Sequence, residues 1–363
     1  MEIFVVLFLY LLALKFYIKN SSQKNRALLS ILAGFGLWII LALRSPYCGI
    51  DLVTGVDGSA NYLNQFITAS DYSFTQIVRG SLSYFSSVEV GWVLYCKLLS
   101  LFSTNFQVFL AITALIQMGL IGFVFYKYSK DIALSYIVYF CFGLYIMSFS
   151  GIRQSTAIAL TFFSFHLLLS NKKWQFFLTV FIASSIHTSA LIFLIAYPLK
   201  KIRMDAKKSI FALVGILFSI PFLSAIGNFL IPLLFGGRYI NFEGEGGAIN
   251  RFIIYVVIFL SSLNIKINNQ QNNLYRSMIL MAVAGQSLGI IGNAHVTRIA
   301  YYFSIVFSML FPELLASYSS KKERTTLFTV TSLLFFAFFY LTNKGGYLNV
   351  VPYYFFWERP FFY

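Results

Sequence analysis

Arg153 and Gln154 interrupt an otherwise apolar stretch, SFSGIRQSTAIALTFFSFHLLL at residues 148–169, between the end of one apolar run and the start of the next. A guanidinium is a planar fork of donors that stays charged, so it can grip a phosphate or carboxylate through two parallel hydrogen bonds. Gln154, Ser155 and Thr156 follow it into a predicted helix, whose first N–H groups and positive end also favour an anion. His187, in SSIHTS, sits at a predicted turn with Ser185, Thr188 and Ser189 available as caps. His295, in GNAHVTR, precedes Arg298 by about one helical turn and can share a face with it.

Carboxylates able to accept a hydroxyl proton occur in GIDLVTGVDGSANYLNQF, namely Asp51 and Asp57, with Tyr62 and amide groups that can hydrogen-bond a sugar. Glu89 follows in the same region. Each feature also has a plainer reading. Arginines at helix ends commonly reach lipid phosphates, which competes at Arg44, Arg238 and Arg359. Acidic residues in a loop are often only solvated, and His166, far along the helix that Arg153 opens, is expected to pack. No histidine spacing resembles a zinc motif, so no metal and no cofactor is expected. Cys48 and Cys96 could pair if they lie close, which spacing alone does not decide.

The elements that must position these residues follow from composition. With 59% hydrophobic and 11% charged residues and a mean hydropathy of +0.77, the chain cannot make a water-soluble surface. Apolar runs recur from residue 3 to residue 342 with short polar breaks, so one integral membrane domain over 1–363 is expected. The predicted fold is all-α: a polytopic transmembrane helical bundle of about 10–12 membrane segments, some short or re-entrant. The first run, IFVVLFLYLLALKFYI, is read as a retained span, since no basic region precedes it. GWVLYCKLLSLFS at 91–103 is too short to cross, because a span needs about 20 residues. The stretch Trp174 to Pro198 has basic residues at both ends and is expected to form a bent hairpin turning at SSIHTS.

Basic clusters orient the bundle, because short cytoplasmic loops carry the excess of positive charge. Lys19, Lys24 and Arg26, then Lys127 and Lys130, Lys172 and Lys173, Lys200 to Lys208, Lys266 and Arg276, and Lys321 to Arg324 mark the cytoplasmic side. External loops are then expected at about 44–104 and 227–250, with shorter turns near 150, 187 and 293–298. Lysine prevails in the cytoplasmic loops. Externally, Arg44, Arg79, Arg153, Arg238, Arg251, Arg298 and Arg359 stand against only Lys97 and Lys344. Positive charge alone suffices for topology, whereas a fork of donors suits an anionic ligand, so the external face is read as anion-binding. Nucleic acid is not an expected partner.

Five stretches in order, GVDGSANY (55–62), EVGW (89–92), GIRQSTAIAL (151–160), IHTSALI (186–192) and VTRIAYYF (296–303), resemble the landmarks of the EpsG-like branch of Wzy-type polysaccharide polymerases. The resemblance covers about residues 44–318. It implies a metal-independent glycosyltransferase in the bacterial inner membrane, acting at the external face on oligosaccharide repeat units carried by undecaprenyl diphosphate. Its stretches hold the residues expected to be catalytic, Arg153, His187, Arg298 and Asp57, and the expected substrate contacts Gln154, Tyr62 and Glu89, to which the external charges and loop side chains add Arg44, Asp51, Arg251 and His295. The implied partners are the lipid-linked oligosaccharide, the bilayer and a chain-length regulator.

Other classes remain open. A flippase for lipid-linked oligosaccharides would show repeat-related halves and cations at mid-membrane depth, but the charges here gather at one face and no internal repeat is evident. An acyltransferase would draw its donor from inside. A ligase that passes finished polymer to a lipid core is closer in chemistry and hard to separate from a polymerase by sequence.

Overall fold

The computed structural model describes residues 1–18, 22–53, 61–79, 88–235, 248–291 and 297–358, with the backbone alone at 223–235, 248 and 291. Long apolar runs become long helices because, in hydrocarbon, backbone N–H and C=O groups can be satisfied only within the segment itself. They are α1 (Glu2–Tyr17), α2 (Gln23–Leu43), α6 (Phe106–Tyr128), α9 (Ile152–Leu169), α12 (Ala206–Phe235) and α14 (Gln270–Ile291). Shorter pieces are α3 (Tyr62–Asp71), α4 (Phe74–Val78), α5 (Val90–Ser100), α10 (Lys173–Ile186), α11 (Ala196–Leu199) and α13 (Ala248–Ser262). Near the end of the chain come α15 (Tyr301–Ser304), α16 (Phe307–Ala316) and α17 (Lys321–Asn343). No strand forms among the described residues.

Five stretches among the described residues are long and apolar enough to cross a membrane: α2, α6, α9, 298–316 and α17. A sixth is the pair α7 (Ile132–Cys141) and α8 (Leu144–Ser150), bent by 54° between them. Gly143, with φ of +85°, makes that bend in the left-handed region where a side chain would be strained. A multi-pass helical bundle is therefore present. The larger expected number of segments also counts α1, α10, 188–199 and α12 to α14, which are short, polar or incompletely described.

The termini of these helices sort to two ends. At one end the basic clusters cap neighbouring helices: Lys15 pairs with Asp131, the N-cap of α7, and Arg26 donates to the carbonyls of Tyr126 (2.6 Å) and Ser129 (3.0 Å). There too Lys200 donates to Leu168 O (2.6 Å), and Arg276 to the carbonyls of Met204, Ser262 and Ile265. Lysine and arginine thus satisfy the orphan carbonyls of helix C-termini, so they shape loops besides orienting them.

The opposite end gathers the C-termini of α2, α8 and α10 and the N-termini of α6 and α9. The described residues of the expected external loop at 44–104 are largely helical. Its helices α3 and α5 enclose a second small core, with Phe66, Trp92, Cys96 and Phe109 buried, roofing the ends of α6, α9 and α10. At 11 residues α5 cannot span, as its length predicts. The expected loop at 227–250 begins later, because α12 continues through Gly227 and Asn228 and the apolar stretch FLIPLLF to Phe235. Cys48 and Cys96 are free and buried in different clusters, so no disulfide joins them.

The sorting of ends predicts a labelling pattern. Lys344→Cys should react with an impermeant maleimide added to intact cells, and Lys172→Cys only after permeabilisation, while Cys48, Cys96 and Cys141 stay silent because they are buried. The reverse pattern would invert the bundle.

Candidate functional site

The site is built around the hairpin made by α10 and the 3-10 segment Thr188–Ile195, which pack against each other and turn at His187. That segment starts without a side-chain cap of its own. Glu89, the residue before α5, supplies one from outside. Its Oε1 accepts the Thr188 backbone N–H at 3.0 Å and the Thr188 hydroxyl at 3.2 Å. Its Oε2 accepts from Arg153 Nη1 at 2.7 Å. His187 Nδ1 lies 3.3 Å from Oε1, at ion-pair distance though off the line of a straight hydrogen bond. One carboxylate thereby joins α5, α9 and the hairpin.

Gly91 permits this junction. A Cβ there would overlap both the side chain and the backbone carbonyl of Ser185 on α10, so α5 can lie this close only with glycine at that position. Trp92 then donates to Gln65 Oε1 at 2.7 Å, holding α3 on α5 and setting Tyr62 beside Arg153, whose guanidinium carbon is 5.9 Å from the ring centre. Asp51 is tied on both sides: its backbone carbonyl accepts from Tyr62 N, and its Oδ2 accepts from Ser150 Oγ at 2.8 Å.

Burial alone would raise the Glu89 pKa, but His187, the Thr188 backbone N–H and the Arg153 charge outweigh it and hold the carboxyl at about 2. A base this weak is poorly matched to abstracting a hydroxyl proton near neutrality. Glu89 is instead suited to positioning. Burial is the main cause that raises the pKa of Tyr62, partly offset by Arg153, so its phenol stays protonated and remains a donor.

Arg153 uses one N–H on Glu89, and its Nε is buried without a hydrogen-bond partner. Gln154 is buried, donates to the Arg298 carbonyl at 2.9 Å, and leaves its Oε1 without a partner. Arg298 opens a short 3-10 turn ahead of α15 and is half-buried. Ser189 Oγ lies 3.0 Å from Tyr302 OH, a second link between the hairpin and this stretch. The structure thus brings Arg153, Gln154, His187, Tyr62 and Glu89 into one cluster, with the Arg298 backbone at its edge.

Other expected site residues stand elsewhere. Arg44 is 2% exposed; it donates to Ser148 O at 2.8 Å and lies over Phe149, so it fastens α2 to α8 instead of reaching lipid phosphates. Arg251 lines a separate cavity with Tyr255 and Tyr301. Asp57 and His295 lie outside the described residues. His166 packs as expected, edge-on to Phe123, with Nδ1 2.8 Å from Tyr128 OH. Among the described residues no three His, Cys, Asp or Glu side chains gather as a metal site. Sequence reasoning missed Gly91 and Ser185 as the contact that sets the geometry, and it gave Glu89 to the substrate when protein donors already hold both of its oxygens.

The family model for the EpsG family matches residues 47–355, a stretch that contains every residue of this cluster. The chain belongs to the EpsG family. No curated protein and no solved structure matches it. Family membership thus covers the hairpin, the roof formed by α3 and α5, and the Arg298 turn together.

Two measurements test Glu89. Glu89→Gln puts an amide donor against the Arg153 fork and should lower activity at least about tenfold, the scale of a charge-assisted contact. Because the folded-state pKa is depressed, the carboxylate contributes stability above the unfolded value of 4.5 and loses it as pH falls through about 2. Wild type should therefore unfold at a higher temperature than Glu89→Gln at pH 6, and the two should converge on acidification. Gly91→Ala should reproduce the activity loss by pushing α5 off α10.

Proposed function

We propose that this EpsG-family chain is a glycan polymerase of the bacterial inner membrane, moving a growing glycan from a polyprenyl diphosphate onto a new lipid-linked repeat unit at the external face. The observation that carries the reading is the Arg153–Glu89–His187 cluster. A guanidinium with unused donors stands next to an imidazole that a carboxylate can orient, at one end of the bundle.

The chemistry follows from the charges. The donor's leaving group is a diphosphate, and negative charge grows on it as its bond to the anomeric carbon breaks. Arg153 is positioned to stabilise that charge, with Tyr62 as a further donor, in a site whose low dielectric strengthens both contacts. An acceptor hydroxyl oxygen forms the new bond to the anomeric carbon as the diphosphate leaves with the electron pair. A carboxylate at Nδ1 favours the proton on that nitrogen and frees Nε2 as an acceptor, so His187 takes the hydroxyl proton and Glu89 stabilises the resulting imidazolium. The carrier is undecaprenyl diphosphate in this reading, and a chain-length regulator is a candidate partner. Whether the product is O-antigen, capsule or exopolysaccharide turns on the repeat-unit sugars.

A flippase would require cations along a path at mid-depth. Of the charged groups described here, Arg153, Arg44 and Glu89 stand at one end and Lys15, Arg26, Lys200 and Arg276 at the other, which favours chemistry at a face over translocation.

Arg153→Lys keeps one charge but loses the fork. Chain extension should fall about 100-fold, since one donor to a developing anion is worth about 3 kcal/mol. His187→Ala should fall comparably, whereas Lys172→Arg and His166→Phe should leave polymer length unchanged. Surface glycan would be resolved by electrophoresis beside an immunoblot for protein level. Full-length polymer from a normally expressed Arg153→Lys chain would remove the diphosphate role from Arg153.

A further inference from the structure

At the end of the bundle opposite Arg153, not every lysine caps a helix. A cavity of about 220 Å3 lies there between the end of α9, the start of α10, α11 and the start of α14, and Lys173, Lys200 and Lys201 all line it. The fold consumes Lys200, whose Nζ donates to Leu168 O at 2.6 Å and to Asn171 Oδ1 at 2.7 Å, leaving one N–H. Lys173 and Lys201 have no acceptor among the described residues. Their ammonium groups stand over one phenol, 5.7 Å and 5.0 Å from the centre of the Tyr197 ring.

Nothing in the fold itself accounts for this convergence. Like charges repel, and Lys173 is the first residue of α10, where the helix dipole opposes a cation and Lys172 offers no side-chain cap. The four acids of this end are placed elsewhere: Asp131 pairs with Lys15, Asp205 caps α12, Glu313 accepts from Asn272, and Glu323 stands in the first turn of α17. Orienting the bundle requires only positive charge in the loops, which Lys172, Lys207 and Lys208 supply without lining the cavity. An anion among the three ammonium groups would offset their repulsion, and the volume suits a phosphodiester, since one water takes about 30 Å3.

The surroundings favour a lipid as the source of that anion. α9 is long and apolar enough to cross a membrane, and a crossing helix places its end at headgroup depth. Trp174, beside Lys173, is 78% exposed, as suits an indole at a membrane interface, and farther along α10 Leu178, Phe181 and Ile182 are bare. We infer that this cavity binds the phosphate of an anionic phospholipid through Lys173, Lys201 and the remaining donor of Lys200, with the acyl chains lying along α10. Bound there, the lipid joins the feet of both legs of the hairpin whose turn carries His187, because Lys173 begins one leg and Tyr197 and Lys201 end the other. Such binding requires no particular chemistry at the opposite end.

The test is native mass spectrometry of the purified full chain in detergent, titrated with dioleoyl phosphatidylglycerol. Wild type should retain one equivalent in preference to dioleoyl phosphatidylcholine. The double variant Lys173→Gln, Lys201→Gln should bind it at least about tenfold more weakly, because each lysine near a lipid anion contributes to the attraction. Gln270→Trp keeps every charge and fills the cavity, and should weaken binding comparably. The double variant Lys207→Gln, Lys208→Gln removes the same charge outside the cavity and should bind as wild type does. Unfolding temperatures without lipid, measured beside these, separate a lost site from a lost fold. Wild-type affinity in either cavity variant would overturn the inference, and so would equal weakening in the Lys207, Lys208 variant, which would make the attraction a diffuse one. Displacement of the lipid by an equal concentration of inorganic phosphate would assign the cavity to a soluble phosphate and overturn the lipid.

Discussion

The Glu89 carboxylate is the interaction on which the site depends. Three groups meet it that would each be costly alone: a cation in the first turn of α9, where the helix dipole opposes positive charge, an uncapped 3-10 segment, and an imidazole at a turn. One ionised carboxylate offsets all three, since each of its oxygens has lone pairs for more than one donor. Removing one member of such a partly buried pair costs more than the pair itself contributes, because the remaining charge is left without a partner. The depressed pKa of Glu89 is the thermodynamic expression of the same arrangement.

That dependence explains why a membrane protein builds a second small core outside its spanning helices. Glu89 is useful only if α5 is held against α10 to within a side chain's thickness, and a solvated loop could not do so. Trp92, Phe66 and Phe109 bury large aromatic surfaces between α3, α5 and the end of α6, each worth several times the thermal energy, about 3–5 kcal/mol on truncation. Apolar burial therefore sets a polar geometry. Gln117, donating to Thr156 Oγ1 at 2.9 Å between α6 and α9, serves the same purpose from below.

The two ends of the bundle use basic residues differently. At one end lysine and arginine cap helix C-termini, where cations suit both the carbonyls and the dipole. At the other, Arg44 is consumed by a structural contact and Arg153 by a positioning one that leaves donors unused. Net charge alone hides this division, and so does the sorting of lysine from arginine by side. Whether an arginine is available to a ligand depends on which carbonyl or carboxylate has already claimed it.

Class, the longest spans, the α10 hairpin and the short α5 were legible in the sequence, because each follows from local quantities: run length, hydropathy and the placement of basic residues. The motifs also singled out Arg153, Gln154 and His187, which lie at breaks between apolar runs. What they could not show was pairing. Glu89 and Arg153 are 64 residues apart, and Gly91 meets Ser185 across a still longer separation. Such contacts arise from how helices stack, and no periodicity along the chain encodes a partner that far away. Composition and local pattern therefore determined a polytopic helical bundle with a cation and a histidine at one rim. Only tertiary packing decided that Glu89 holds that cation, that Arg44 is spent within the fold, and that Arg251 faces a cavity of its own.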